Sequence, residues 1–353
     1  VTPCCTMSHK EAFFCAGACT KTDKATKHKH HKRTLQSSMR FLGAADVLQR
    51  GFKACQGLPS RNFDRQEEPT KNDIKLFKKH YGSDPAVLAR MWHDMGETIL
   101  LETGETIIPD SKDKTEKGFK FFLIAMYFIW AYPKNGEMLA SRFGVGLRQV
   151  QGENLWRWVR MIASLKEKKF VWPGGMHNDP RGQIYIVSVD VVDFKAFEKK
   201  HPTMTIDKGQ YSHKFNHGGL KYEIAIDVYR SKVVWISGPY RAGMHDKTVY
   251  AEMGLRNKIP HGKKVITDRV YGSQAEPEHH IKLALPNPSD NKELANFKAR
   301  VRARHESFNG RLKFYRSLSD TYHHPAANHV HVFEAVCVTV QYQMDNGAEL
   351  FAA

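Results

Sequence analysis

The sequence predicts a mixed α/β protein in which a helical N-terminal part leads into a sheet-bearing C-terminal part. Three observations predict it. Apolar residues recur at helical spacing up to about residue 162, the texture turns to short apolar and alternating runs from Gln183, and an amphipathic stripe returns between Glu293 and about Leu318. The 353 residues are 41% hydrophobic and 11% aromatic, enough to fill real cores, so wholesale disorder is excluded. At roughly 150 residues per domain, the length holds two or three domains.

Lys and Arg number 54 against 37 Asp and Glu, a formal charge of +17. Such an excess predicts a polyanionic partner, with nucleic acid foremost. The longest apolar stretch, Phe119 to Tyr132, is interrupted by Lys120 and falls short of the roughly 20 residues a bilayer requires, so it reads as a buried helix and no membrane partner is expected. The six cysteines leave 56–336 without one, which excludes a disulfide framework there and fits a reducing compartment. No secretory signal is recognisable.

Residues 1–62 read as a basic, mobile tail. The run from Lys21 to Arg33 has no apolar periodicity and is read as a nuclear-localisation signal or a non-specific DNA tail. Cys4, Cys5, Cys15 and Cys19 with His28, His30 and His31 carry zinc-ligand chemistry, but their spacing matches no defined finger and the flanks show no ββα pattern.

Residues 63–172 read as helical. Two short helices are expected between Asp73 and Met95, broken by Gly82 and Pro85, followed by a polar segment from Glu105 to Lys117 and an apolar helix from Phe119 to Trp130. A helix-turn-helix is expected over about 136–163: Glu137 to Phe143, a turn at Gly144-Val145-Gly146, and a second helix from Leu147 to Ile162. In that reading Arg148, Gln149, Gln151 and Asn154 open the second helix and face a DNA groove. The bland alternative is a core helical hairpin. Trp156 is expected to pack in the helical core.

Residues 173–353 read as the sheet domain. Ile184 to Val189 is a buried strand ending in Asp190. Tyr222 to Val228 and Val233 to Ser237 form a hairpin, and a short helix follows from about Asp246 to Leu255. A second buried strand, Lys264 to Thr267, ends in Asp268, and Ile281 to Leu285 is the fifth strand. A helix over Glu293 to about Leu318 then presents Phe297, Val301, Phe308, Leu312 and Tyr315 on one stripe.

Two strand ends thus carry aspartates, where the site of an open α/β sheet forms. Between Lys298 and Arg316 stand Lys298, Arg300, Arg302, Arg304, Arg311, Lys313 and Arg316, with a single acid, Glu306, among them. Three converging carboxylates repel one another unless divalent cations neutralise them, and hard oxygen donors suit Mg²⁺ or Mn²⁺. A pair of such ions activates an attacking oxygen and stabilises the leaving oxygen of a phosphodiester, while Lys298, Arg300, Arg302, Arg304, Arg311 and Lys313 hold the strand. Each acid alone has a plainer reading: Glu306 lies four residues after Arg302, the spacing of a helix ion pair, and strand-end aspartates cap turns. Asp193, Asp227 and Asp246 are weaker candidates, reading as a turn start, a hairpin position and a helix cap. His323, His324, His329 and His331 are assigned to packing.

These residues carry a family resemblance. Val187-Ser188-Val189-Asp190, Tyr211 to His217, Lys221-Tyr222-Glu223, Ser237-Gly238-Pro239, Gly243-Met244-His245-Asp246, Val265 to Arg269, Arg302 to Lys313, Phe333 to Val336 and Gln341 to Met344 resemble the DDE-superfamily transposases of the PIF/Harbinger type, over roughly 64–353. The resemblance implies an RNase H-like fold with a five-stranded mixed sheet and flanking helices, preceded by a helix-turn-helix. It puts Asp190, Asp268 and Glu306 at the positions of the metal-binding triad. It also implies a nuclear transposase that binds transposon ends, hydrolyses phosphodiesters and transfers strands to target DNA, with a separate DNA-binding accessory protein and self-association as further partners. Two departures stand out: the family usually carries glycine directly after the first aspartate and two residues after the second, whereas this chain has Val191 and Val270. They favour the alternative, a domesticated or decayed DNA-binding protein without nuclease activity. A third reading is a structure-selective nuclease of the same fold, which has no need of a helix-turn-helix.

Overall fold

The computed structural model describes residues 42–56, 58, 69–103, 112–179, 181–197, 208–252, 254–272 and 282–353. The basic run 21–33 and the N-terminal Cys/His group lie outside them.

The helical part opens earlier than its composition suggests. Within the expected tail, α1 (Ala44–Ala54) turns Val47, Leu48, Gly51 and Phe52 into the core. The polar residues around them hide a short apolar stripe. Helix α2 (Lys71–Tyr81) starts on a Thr70/Asp73 capping box and stops where Gly82 takes a left-handed conformation, the expected break. Helices α3 (Pro85–Thr103) and α4 (Lys112–Ala131) both run longer than their apolar segments. Trp92 stacks on Trp158 at 6.1 Å between ring centroids.

The expected helix-turn-helix is only partly matched. Its first helix is α5 (Gly136–Phe143), capped by Asn135 and ended at left-handed Gly144. The second does not begin at Leu147. Leu147–Gln149 form a single 3₁₀ turn, Gly152 has a φ of 57°, and α6 spans Glu153–Ser164. A positive φ next to Gln151 breaks the α-helical ladder, so Arg148, Gln149 and Gln151 precede the helix instead of opening it. Trp156 is buried, as expected. Two short helices, α7 (Lys166–Lys169) and α8 (Gly174–Asn178), lead into the sheet.

Six strands form the described sheet, one more than expected: β1 (Tyr185–Lys195), β2 (Tyr211–Ser212), β3 (His217–Asp227), β4 (Val233–Arg241), β5 (Lys264–Ile266) and β6 (Leu283–Ala284). The extra strand is β2, two residues long. The order is β2-β3-β1-β5-β6 with β4 also on β3; β1, β3 and β4 are antiparallel, while β5 and β6 run parallel to β1.

Strand β1 does not end at Asp190. It continues to Lys195, with Asp190 opposite Ile224 and Lys195 opposite Gly219. The expected helix from Asp246 breaks at left-handed Gly254 into α9 (Asp246–Glu252) and α10 (Leu255–Lys258). The basic helix α11 (Lys292–Leu312) starts on an Asn291 cap and stops six residues short of Leu318, with α12 (Arg316–Ser319) following. Last comes α13 (His329–Asp345), buried on nearly every side.

One core unites the two expected domains. The helical residues Trp92, Phe122, Leu155 and Ile162 belong to the same buried cluster as Val192, Phe194, Tyr222 and Ile224 of the sheet and Phe333 and Val336 of α13. Lys169 and Lys232 both pair with Asp345, joining α7 and the β3–β4 hairpin through α13. A second cluster, with Val187, Val189, Val191, Val265 and Tyr250, covers the opposite sheet face. No described helix is long and apolar enough to cross a membrane.

Candidate active site

Alternation along β1 decides which side chains meet α11. Ser188 Oγ hydrogen-bonds His305 Nδ1 at 2.9 Å, and the Asn309 amide donates to Asp190 Oδ2 at 2.8 Å. Two residues along a strand cover about 6.6 Å and four along a helix about 6 Å, so the two ladders stay in step. Strand β5 pairs with β1 only as far as Ser188 opposite Ile266. Beyond it Asp190 has lost its neighbour on that side, and the chain leaving β5 reaches Asp268 two residues later. Here the parallel strands end, the usual place for a site in an open sheet.

A cavity of about 380 Å³ occupies this gap, bordered by Asp190 and Asp268 from the sheet and by Ala299, Arg302, Ala303 and Glu306 from α11. Two alanines on the helix side keep it open. All three predicted acids border it, which sequence spacing of 78 and 38 residues never guaranteed. Burial, and then the negative charges of Glu306 and Asp268, push the Asp190 carboxyl up to about 7, and burial likewise raises Asp268. Glu306 is exposed, and no ion pair with Arg302 stands among those of the described residues, so the plainer helix-pair reading finds no support. Asp268 also does what strand-end aspartates do: its Oδ1 accepts the Val270 N–H at 3.0 Å.

The donor set is all oxygen, and the mutual repulsion at Asp190 is what a hard divalent cation relieves. Among the described residues no three Asp, Glu, His or Cys side chains stand close enough to form a ready-made cage.

Val191 and Val270 sit comfortably. The non-glycine residues with positive φ among those described are Tyr132 and Asn216, so neither valine occupies a backbone that needs glycine. The Val191 N–H donates to Asp190 Oδ1 at 2.9 Å and the Val270 N–H to Asp268 Oδ1, so each orients a carboxylate.

The six basic residues expected to hold DNA divide. Lys298 is buried and bonds the Leu285 carbonyl and Asp290 at 2.8 Å. Arg304 is buried and donates to the carbonyls of Asp227 and Val228. Arg300 and Arg311 tie down the C-terminal segment through the carbonyls of Ala352, Ala348 and Glu349. Arg302 reaches the cavity, and Lys313 is exposed without a described partner. In the helical part, Arg148, Gln151 and Asn154 are exposed, while the Gln149 side chain accepts the Gly146 N–H at 3.0 Å.

The weaker acids serve the fold. Asp193 lies inside β1, not at a turn, and accepts from Ser212 at 2.6 Å; Asp227 accepts the Tyr229 and Arg230 N–H groups at the hairpin; Asp246 opens α9 and is held by Lys221 at 2.7 Å. Asn309 was missed by sequence reasoning, although its place three residues after Glu306, on the same side of a helix, was a usable signal.

Residues 192–341 match the family model described as DDE superfamily endonuclease. The match supports a DDE-superfamily endonuclease and falls within the sheet domain. Asp268 and Glu306 fall inside the match and Asp190 lies two residues before its start. No curated protein and no solved structure matches the chain. The mixed sheet with flanking helices agrees with the RNase H-like architecture expected of a DDE endonuclease domain.

Proposed function

We propose that this chain is a DNA transposase or transposase-like endonuclease that hydrolyses phosphodiesters with divalent metal at Asp190, Asp268 and Glu306. One observation carries the reading: three carboxylates from β1, the end of β5 and α11 border a single cavity in a DDE endonuclease domain. When bound, Mg²⁺ or Mn²⁺ supplies charge neutralisation and Lewis acidity at the scissile phosphate. The protein's own contribution is positional. Asn309 and the Val191 N–H hold the two oxygens of Asp190, the Val270 N–H holds Asp268, and Arg302 brings positive charge to the rim where a phosphate would enter.

In this reading the exposed Arg148, Gln151 and Asn154 meet DNA outside the cavity, as expected of a protein that recognises transposon ends before cutting and joining strands. A nuclear location, self-association and an accessory DNA-binding protein belong to the same proposal.

The test incubates full-length protein with DNA bearing candidate element ends, with Mg²⁺, Mn²⁺ or chelator, beside Asp268→Asn and Glu306→Gln. Metal-dependent cutting by wild type alone supports the reading. Equal binding with no cutting by any of the three overturns the enzyme and leaves a DNA-binding protein. Preference for branched DNA over one end sequence replaces the transposase with a structure-selective nuclease.

A further inference from the structure

Glycine inside a long helix costs stability and normally has a local reason. Two such glycines here have one. A Cβ at Gly51 of α1 would stand 2.3 Å from the Phe77 ring, and one at Gly118 of α4 would stand 3.3 Å from Trp158. Gly310, two residues before the C-terminal end of the same α11 that carries Glu306 and still within its right-handed helical backbone, has neither reason. Its φ is ordinary, its surface is exposed, and a Cβ there would meet no described residue within 4 Å.

The surroundings of Gly310 point outward. At 100° per residue, Arg302, Glu306, Gly310 and Lys313 fall on one stripe of α11, and Lys313 still holds helical dihedrals of φ −74° and ψ −7°. The stripe spans about 16 Å, which is about five base-pair steps of duplex axis. Arg302 lies on the cavity side of Glu306 and Lys313, exposed and without a partner among the described residues, lies beyond Gly310, so the smooth position stands between the cleaving acid and an outlying cation.

We infer that the phosphodiester backbone of the DNA strand runs along this stripe, from the cavity past Gly310 to Lys313, and that Gly310 is where it touches the helix most closely. The inference rests on the DNA-cleaving reading above and adds the path of the strand. A methyl group at Gly310 lifts the backbone away from the helix, while Lys313 contributes a phosphate contact that places the strand without reading its sequence.

The experiment compares full-length wild type, Gly310→Ala, Gly310→Leu and Lys313→Ala in melting temperature, duplex affinity across a salt series, and metal-dependent cutting. Gly310→Ala is expected to melt roughly 1–2 °C higher, because alanine favours the helix. It should also cut roughly ten-fold more slowly because the phosphate is displaced, with Gly310→Leu worse. Lys313→Ala should reduce the salt slope of binding by about one. A Gly310→Ala protein that melts higher yet binds and cuts like wild type overturns the strand path and leaves the endonuclease reading standing. A wild type that neither binds nor cuts overturns both. If Gly310→Ala changes only the sedimentation behaviour, the stripe packs against a second copy and the inference fails.

Discussion

The Asn309 side-chain amide donates a 2.8 Å hydrogen bond to Asp190 Oδ2, and α11 thereby grips the first acid of the site while presenting the last, Glu306, one turn earlier. Asn309 is buried, so its removal leaves Asp190 free to rotate instead of admitting water in its place. Asn309→Leu is expected to lower metal-dependent cutting roughly ten- to a hundred-fold, the usual cost of losing a residue that orients a metal ligand. Duplex affinity measured in chelator should stay unchanged.

Repulsion among the acids predicts a trade between stability and activity. In chelator, Asp268→Asn should melt above wild type, since Asp268 is one of the charges that push Asp190 up to about 7. With Mn²⁺ the order should reverse. An ion present at a hundred times its Kd stabilises the native state by about 2.7 kcal/mol, and only the wild type keeps the full ligand set. Thermal denaturation with and without metal reads both signs.

Buried Glu223 sets a pH dependence of its own. It accepts from the Trp235 indole at 3.1 Å, its Oε1 has no hydrogen-bond partner, and burial pushes its carboxyl from 4.5 up to about 7. A raised folded-state value means the native protein holds this proton more tightly than the unfolded chain. The contribution to stability is therefore complete below about 4.5 and is lost as pH rises through about 7, roughly 3 kcal/mol in all. Glu223→Gln keeps an acceptor for Trp235 and cannot ionise. Its stability relative to wild type should be greater at pH 8.5 than at pH 5, as denaturant titrations at the two values would register.

Arg304 and Lys313 look interchangeable in the sequence, yet they should behave oppositely. Arg304→Ala strips a buried guanidinium from the carbonyls of Asp227 and Val228 and should cost about 2–4 kcal/mol of stability. Lys313→Ala, at an exposed position, should stay within about 0.5 kcal/mol of wild type. Urea unfolding of the two variants separates these outcomes.

Local periodicity made most elements legible. The break at Gly82, the apolar run before Asp190 and the stripe of Val301, Phe308 and Leu312 are all short-range signals, and each element formed. Failures came where distant partners outvote local pattern. Val191 to Lys195 stay in β1 because β3 supplies a full antiparallel ladder opposite them, and Asp193 is tolerated there because Ser212 and Lys221 reach it. Lys298 and Arg304 turn inward because free carbonyls at Leu285, Asp227 and Val228 await them, which no count of charges reveals.

By itself the sequence determined the order Asp, Asp, Glu, the strands and helix that carry those acids, and the basic character of the helix around the glutamate. The tertiary structure alone decided that β5 stops at Ile266 and uncovers Asp190, that the Asn309 amide reaches it, and that Arg302 and Lys313, among the described residues, make none of the carbonyl contacts that claim their neighbours. The physical reason is range. Hydrophobic period and capping act over a few residues and are written in the chain, whereas the meeting of residues 190, 268 and 306 depends on strand pairing and helix packing between segments tens of residues apart.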